Sequence, residues 1–397
     1  MNAGAHLENT SYKVKFSGNR AELAKEVSIT ALLTLFTAGL YKSWMKTRLR
    51  RWYWSSVRIG DQPLEYTGLG SEKFLGFMMA VAFLAFYICV VNVILMYLSF
   101  SLVYSEHGGA IVSAIGLLPL AFYAQYRARA YLCSRTRWRG IRFALEDGAG
   151  GFVWRSLAGL AASVATLGLL LPWMVFQRER YLTDRTWYGS VNLEQGGDWR
   201  MLLPHVRYFF IGIVASVLVI ALGRLADPHI LYGLWGTIPI ALAGFLYFRA
   251  ESFRELMNRK QAGDMKIAAA PPTAKIVRTF MIGNTIVFLF WALAVAAVTN
   301  GFTQGFAGLK FSEYMDFVTN NAVQWIVLST IFLTTAVIYL VWSILNHVFV
   351  LVPMTRLFAD SVILENTELM ARVAQREGEA QTGASGLFEA LDMGMGI

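Results

Sequence analysis

Long apolar runs alternate along this chain with short, basic, strand-like segments. Leu75–Tyr104, Val206–Leu222, Val277–Val298 and Ile326–Val352 are each near or above the roughly 18–20 residues that a bilayer-spanning helix needs. The pattern predicts spanning helices at about 74–104, 109–126, 205–224, 229–248, 277–299 and 321–353. They pair into three hairpins, because the connections Ser105–Gly109, Ala226–His229 and Asn300–Asn320 are short or acid-tinged. Two further stretches, Leu23–Trp44 and Val153–Phe176, break near their middles at Thr37-Ala-Gly39 and Thr166-Leu-Gly168. Half-helices of about 12 residues reach about 18 Å, short of the roughly 30 Å hydrocarbon core. Both stretches are expected to be re-entrant or interfacial helical hairpins, their turns (Thr37, Gly39, Thr166, Gly168) covered by surrounding helices. The alternative is eight ordinary crossings with one basic segment on the far side.

The polar segments share a design. An arginine ends a hydrophobic stretch, and a strand-like segment follows. Arg48-Leu-Arg50-Arg51 leads into Trp52–Thr67, Arg127-Ala-Arg129 into Tyr131–Leu145, and Arg178-Glu-Arg180 into Tyr181–Leu193. Arg249 leads into Phe253–Ala268 and Arg356 into Phe358–Val373. Turn formers split them at Gly60-Asp61, Arg139-Gly140, Gly189, Gly263-Asp264 and Asn366. Short β-rich runs divided in this way read as hairpins. Val57–Ile59 pairs with Leu64–Tyr66, Thr136–Trp138 with Ile141–Phe143, and Ser361–Leu364 with Glu368–Met370. One hairpin alone is marginal in water. Five on one face can pair into a sheet or small barrel that satisfies their edges, or stay independent at the headgroups.

The expected fold is therefore a polytopic α-helical membrane protein. It has six spanning helices, two re-entrant or interfacial helical hairpins, and repeated cytoplasmic β-hairpins that form a small sheet or barrel or remain separate loops. Matching residues suggest duplication. Thr37-Ala-Gly39-Leu40 with Trp44-Met45 aligns with Thr166-Leu-Gly168-Leu169 with Trp173-Met174. Tyr126-Arg127-Ala128 resembles Phe248-Arg249-Ala250. The expected organisation is a cytoplasmic N-terminus (1–20), a first repeat (21–147), a second repeat (148–270), a third spanning pair with its β-hairpin (271–375) and a cytoplasmic tail (376–397).

Composition agrees with a bilayer. Of 397 residues, 56% are hydrophobic and 15% charged, too apolar for an ordinary soluble protein. Of 35 Lys and Arg, only Arg224 and Lys310 lie in or beside the three connections. The positive-inside rule then puts the basic segments and both termini in the cytoplasm. It also makes the net charge of +9 an ordinary membrane-face charge, so nucleic acid is not an expected partner.

Several residues resemble the YjgN family of bacterial inner-membrane proteins, a domain of unknown function. They are Phe16-Ser-Gly18 with Glu22-Leu23, Leu33–Tyr41 with Trp44, Arg48–Tyr53, Leu64–Gly68 and Gly386–Asp392. The resemblance implies an inner-membrane location and carries no catalytic residues.

The chain has no HExxH, GxSxG or paired metal spacing. No enzyme activity, cofactor or metal is expected. His347, beside Asn346, is an ionisable group near a helix end, open to a functional or a packing role. Asn92, Asn284 and Thr285 can bond between helices. Arg48, Arg50, Arg51, Arg127, Arg129, Arg178 and Arg180 are candidate contacts for anionic lipid headgroups, since arginine grips phosphate bidentately. Ordinary positive-inside anchoring is the favoured explanation of them. Membrane lipids and a protein at the cytoplasmic face are the expected partners. The expected role is a scaffold or adaptor, with a transporter or channel for a lipid or small amphiphile as the alternative.

Overall fold

The computed structural model of the protein describes residues 11–86, 89, 90, 93, 94, 97, 106–306, 321–371 and 373–375. Asn92, much of the first apolar run, the middle of the third connection and the tail Gly386–Ile397 lie outside the described residues.

The basic segments assemble. Strands β1 (Tyr12–Phe16), β2 (Val57–Ile59), β3 (Gln62–Tyr66), β4 (Thr136–Trp138), β5 (Ile141–Leu145), β6 (Thr186–Tyr188), β7 (Val191–Asn192), β8 (Glu194–Gln195), β9 (Lys260–Ala262), β10 (Met265–Ala269) and β11 (Val362–Glu365) form one sheet. Its order is β7-β6-β5-β4-β3-β2-β1-β11-β10-β9-β8, and every neighbouring pair is antiparallel. The two edge strands, β7 and β8, are separated by Leu193 alone. The Leu193 N–H donates to the Thr186 carbonyl at 2.9 Å. The sheet therefore curves until its two edges meet in one bent piece of chain. Such a nearly closed ring leaves little exposed edge.

This strand order fixes where the helices must lie. Tight turns join β2 to β3, β4 to β5, β6 to β7 and β9 to β10. Apart from the single-residue bend at Leu193 between β7 and β8, all other connections contain helices. Helices α1 (Arg20–Phe36) and α2 (Lys42–Ser56) join β1 to β2, and α3 (Gly70–Phe86) and α4 (Glu106–Arg135) lie between β3 and β4. Helices α5 (Ala149–Ala165) and α6 (Leu171–Thr183) lie between β5 and β6, and α7 (Leu203–Leu225) and α8 (Leu234–Met257) between β8 and β9. The last excursion, α9 (Thr273–Phe306), α10 (Asn321–Asn346) and α11 (Val352–Ala359), lies between β10 and β11. Chain neighbours are sheet neighbours and run antiparallel, so consecutive connections alternate between the rims of the ring. Every tight turn sits on one rim. Every helical excursion leaves and returns at the other.

The fifth expected hairpin does not form as predicted. Glu368–Met370 lies in a 3-10 turn, Thr367–Ala371. Both edges of β11 are already taken, by β10 and by β1. Strand β1 supplies the missing partner, pairing Tyr12 with Leu364 and Lys13 with Ile363. On its other edge it pairs Val14, Lys15 and Phe16 with Ile59, Arg58 and Val57. Its burial alternates, with Val14 and Phe16 buried and Lys13 and Lys15 exposed, as expected of a strand with one face inward.

The ring is filled rather than open. Ala262, Met265 and Leu364 form a buried cluster with Tyr12, Ile59, Val191, Leu193, Ile267 and Met370 packed on it. Ile59 and Val191 come from strands on opposite sides of the ring, so the cluster crosses the lumen.

Four helical segments are long and apolar enough to cross a membrane: Trp199–Leu225, Pro228–Met257, Thr273–Gly301 and Ser329–Ala359. Of the six expected spans, these four meet that criterion among the described residues; the first expected pair lies partly outside them. Helices α7 and α8 pack backbone against backbone. A Cβ at Gly212 would stand 2.4 Å from Ala241 Cα, and Ser216 Oγ lies 3.0 Å from Thr237 Oγ1 across the same interface. Small residues at such crossings let apolar helices approach closely.

The two broken stretches turn back as expected. Helices α1 and α2 connect the paired strands β1 and β2, and α5 and α6 connect β5 and β6. Their turns share one geometry: Ala38 and Leu167 have φ of 49°, and Gly39 and Gly168 have φ of 91°. The expectation that neighbouring helices cover these turns is not met. Residues 38–40 are exposed, as are Leu167 and Leu169, with Phe36 at 84% and Val164 at 68% beside them. The turns need no cover because they satisfy themselves. The N–H groups of 37, 38, 39, 40 and 42 donate to carbonyls within the hairpin, and that of Tyr41 donates to Thr37 Oγ1 at 3.0 Å. In the second turn the N–H groups of 166–169 and Leu171 do the same, and that of Leu170 donates to Thr166 Oγ1 at 3.1 Å. With these donors satisfied, an apolar turn can face lipid.

Candidate functional site

The chemistry gathers where the helices join the ring. The middle of helix α2 carries four cationic side chains over six residues, Lys46, Arg48, Arg50 and Arg51. Residues four apart share a helix face, so Lys46 and Arg50 point the same way. Across from them, α3 opens with Glu72 and Lys73, directly after β3 delivers Tyr66.

Lys73 is only 3% exposed, rare for a lysine. Its Nζ lies 4.9 Å from the centre of the Tyr66 ring, and the Arg50 guanidinium stands 6.0 Å from the same ring. Burial, and then the nearby charges of Arg50, Lys46 and Arg51, press the Lys73 ammonium down to about 6, with Glu72 opposing them. Both Glu72 oxygens are occupied. Tyr131 Oη donates to Oε2 at 2.9 Å, and Arg135 Nη2 to Oε1 at 2.8 Å. Burial pushes the Tyr66 phenol up. Arg51 donates to the Gly68 carbonyl at 3.0 Å.

A second group lies nearer α6 and β9. Glu179 is ion-paired with Lys260, whose charge holds the Glu179 carboxyl below the usual carboxylate range despite its surroundings. Arg129 acts electrostatically on the same carboxylate and on Cys133. Burial raises the Cys133 thiol. Arg178 donates to Gln125 Oε1 at 2.6 Å, and its guanidinium lies 5.4 and 5.1 Å from the Phe122 and Phe152 rings.

The seven arginines expected to meet headgroups therefore divide. Arg50 and Arg51 join one cluster, with Lys46 and Lys73. Arg129 and Arg178 join the other. The remaining three have acidic partners: Arg48 with Glu26 at 3.7 Å, Arg127 with Asp147 at 3.6 Å and Arg180 with Asp184 at 3.5 Å. Sequence reasoning missed Lys73 and Lys46. The available signal was Lys73 itself, a cation placed directly before a long apolar run.

Of the other candidates, His347 lies on a π-helical turn, His347–Leu351, with Nδ1 3.2 Å from Tyr53 Oη. That contact suits a packed polar residue. Asn284 and Thr285 donate back to the carbonyls of Phe280 and Met281, so their donors bond within α9. Two clefts face the apolar layer. One of about 790 Å³ is lined by Trp235, Asn284, Thr285, Phe288, Trp291 and Trp342 among others. The other, about 250 Å³, is lined by Thr34, Ala38, Gly39 and Lys42 together with Tyr339 and Ser343. No residue of the second turn lines that smaller cleft. Among the described residues, no three His, Cys, Asp or Glu gather to hold a metal ion.

A family model described as bacterial protein of unknown function (DUF898) matches residues 11–387. The chain belongs to this family. The match begins just before β1 and takes in the whole ring. A curated relative, inner membrane protein YjgN of Salmonella typhimurium (strain LT2), is 24% identical over 140 residues, 35% of this chain and 32% of that protein. The chain thus matches about a third of that relative's length. No solved structure matches. The resemblance first drawn from Phe16–Gly18 and the segments that follow it agrees with both findings.

Proposed function

We propose that this protein is a non-enzymatic scaffold or adaptor of the bacterial inner membrane. Six helices span, two helical hairpins dip into the cytoplasmic leaflet, and the ring and both termini stand in the cytoplasm. The inner-membrane name of the Salmonella relative and the one-sided Lys and Arg distribution support this placement. The shared turn geometry supports an origin by duplication, with repeats at 21–147 and 148–270.

One observation carries the scaffold reading. All helical excursions leave from a single rim; the segment after β11 lies against part of the opposite rim, at Gly189 and Arg142, and the exposed tight turns and the outer face of the ring are left to receive a partner. That outer face is basic. Lys15 lies directly opposite Arg58, and Arg137 lies between Arg142 on one side and Glu65 on the other. Like charges in directly opposed positions are destabilising, and an acidic partner surface would relieve them. Photo-crosslinking residues placed at Asp61, Arg139 and Asp264, all exposed on the tight-turn rim, should each capture the same protein in native membranes. Val164, at the apolar tip of a hairpin, should not. Crosslinks that differ at random among the three rim positions, or none, would count against the scaffold.

The alternative, transport of a lipid or small amphiphile, draws on the two clefts. The filled lumen of the ring counts against a route through it, and the two hairpin turns do not share a cleft. A route would have to run along the lipid-facing helices.

A further inference from the structure

Lys42 stands apart from the two basic clusters. It opens α2, just past the turn of the first helical hairpin, and is exposed. Its Nζ lies 5.9 Å from the centre of the Tyr339 ring on α10, and no carboxylate pairs with it among the described residues. The first turn of α2 carries no acidic residue, so Lys42 adds its charge to the positive end of the helix dipole. The alignment of Thr37 with Thr166 sets Leu171 at the matching position of the second hairpin. Leu171 packs against the buried cluster around Phe176. The cation is therefore particular to the first hairpin. Tyr41 and Trp44 stack on either side of it in sequence, 6.0 Å apart, and Tyr339 and Trp342 lie 5.7 Å apart on α10. Tyr and Trp favour the headgroup level of a bilayer.

The smaller cleft, between this hairpin and α10, is lined by Lys42 and by Ser343. Ser343 is only 8% exposed, yet its hydroxyl makes no hydrogen bond among the described residues. The hydroxyls of Ser28, Thr34 and Thr334 all bond back within their own helices, the usual course at such positions. A buried hydroxyl left without a partner is costly. Ser343 lies one turn nearer the ring than Tyr339 on the same face of α10. Farther from the ring, Ala336 and Phe332 line the cleft with apolar surface. Its volume of about 250 Å³ falls below the roughly 300–1,000 Å³ that drug-sized ligands fill, and suits part of one hydrocarbon chain.

We propose that this cleft binds one anionic phospholipid of the cytoplasmic leaflet. Lys42 pairs with the headgroup phosphate, Ser343 donates to an oxygen of the lipid, and one acyl chain runs outward along Ala336 and Phe332. A soluble phosphate would meet the cation and leave the apolar end of the cleft empty. The proposal rests on the placement of the hairpin in that leaflet and not on the scaffold role. Thiol labelling of the ring turns decides the placement separately.

The test uses the full-length protein in phosphatidylcholine nanodiscs that contain phosphatidylglycerol with a photoactivatable acyl chain. Adducts are mapped by mass spectrometry as the content of the probe lipid rises. They should concentrate in peptides covering 31–45 and 332–343. Lys42→Gln should raise the half-saturating content about tenfold, the loss of roughly one charged hydrogen bond, and Lys42→Arg should stay near wild type. Arg207→Gln removes an exposed cation of α7 outside the cleft and should change nothing. Ser343→Ala should weaken labelling by less than Lys42→Gln without lowering the melting temperature, and decides the matter if Lys42→Gln does not fold. The proposal is overturned if adducts spread over the helices in proportion to their exposed surface. It is also overturned if inorganic phosphate displaces the probe as well as unlabelled phosphatidylglycerol does, or if Lys42→Gln and Arg207→Gln weaken labelling equally, as general surface charge would.

Discussion

The ring closes only because an N-terminal strand reaches the C-terminal helix, and Asp360→Ala tests that joint. The Phe16 N–H donates to Asp360 Oδ1 at 2.7 Å, across 344 residues of sequence. Phe16 itself is buried, in a cluster with Leu23, Val27, Leu49, Tyr53 and Val352. Arg356 adds a bond to the Gly18 carbonyl at 2.9 Å and lies 5.6 Å from the Phe16 ring. A hydrogen bond to a charged group is worth about 1.5–3 kcal/mol, and its loss here also strands a buried N–H. Phe16 burial, about 2–3 kcal/mol, remains in the variant, so β1 should loosen without leaving. We expect about 2 kcal/mol of local destabilisation from Asp360→Ala. Asp360→Asn, which keeps an uncharged acceptor, should lose about half of that. In hydrogen–deuterium exchange, peptides covering 12–18 should exchange about 30-fold faster in Asp360→Ala if they open locally. Peptides from α7 and α8 should be unchanged. Equal protection of β1 in wild type and Asp360→Ala would refute the joint.

Other variants probe packing and charge. Gly212→Ala should cost about 1–3 kcal/mol in a detergent melt, because its methyl meets the Ala241 backbone. Gly236→Ala, with nothing within 4 Å, should be neutral or gain about 0.5 kcal/mol. At the hairpin tips, Gly39→Ala should cost about 1 kcal/mol, from left-handed backbone alone. Gly168→Ala should cost more in the same melt, since its Cβ would also meet the Phe209 ring at 3.2 Å. Lys260→Met should cost about 2 kcal/mol, the value for a broken buried pair reduced because Glu179 retains some access to solvent. The Glu179 carboxyl is depressed by Lys260, so its stabilisation is present above the unfolded value near 4.3 and is lost as pH falls through the folded value. Glu179→Gln should flatten that part of the acid limb of a melting-temperature profile.

Much of this architecture was legible because the chain punctuates it locally. Gly60-Asp61, Arg139-Gly140, Gly189 and Gly263-Asp264 each mark a tight turn that the structure contains. The short halves of Leu23–Trp44 and Val153–Phe176 correctly imply a return to the same rim. Strand β1 was missed although Tyr12-Lys-Val-Lys-Phe16 alternates with period two, because it has no turn and no adjacent partner in sequence. The same omission misplaced Glu368–Met370, whose strand position depends on who else pairs with Val362–Glu365. Ring closure at the Leu193 bend also needs β8 to pair with β9, a partner far along the chain. The exposed turns at Gly39 and Gly168 depend on the donor satisfaction at Thr37 and Thr166, which composition does not reveal. Of the candidate site, the arginines were visible as a repeated pattern. Their grouping into two clusters and three ion pairs was not, because Lys73 and Tyr66 reach them through the fold.

The central claim is that all helical excursions start and end on one side of the membrane. Single cysteines at Asp61, Arg139, Ser190 and Gly263, on a background lacking Cys89 and Cys133, sample four separate turns of one rim. A membrane-impermeant thiol reagent should leave all four unlabelled in intact cells and label all four after permeabilisation. Labelling of any one of them from outside while the others stay protected would contradict the account.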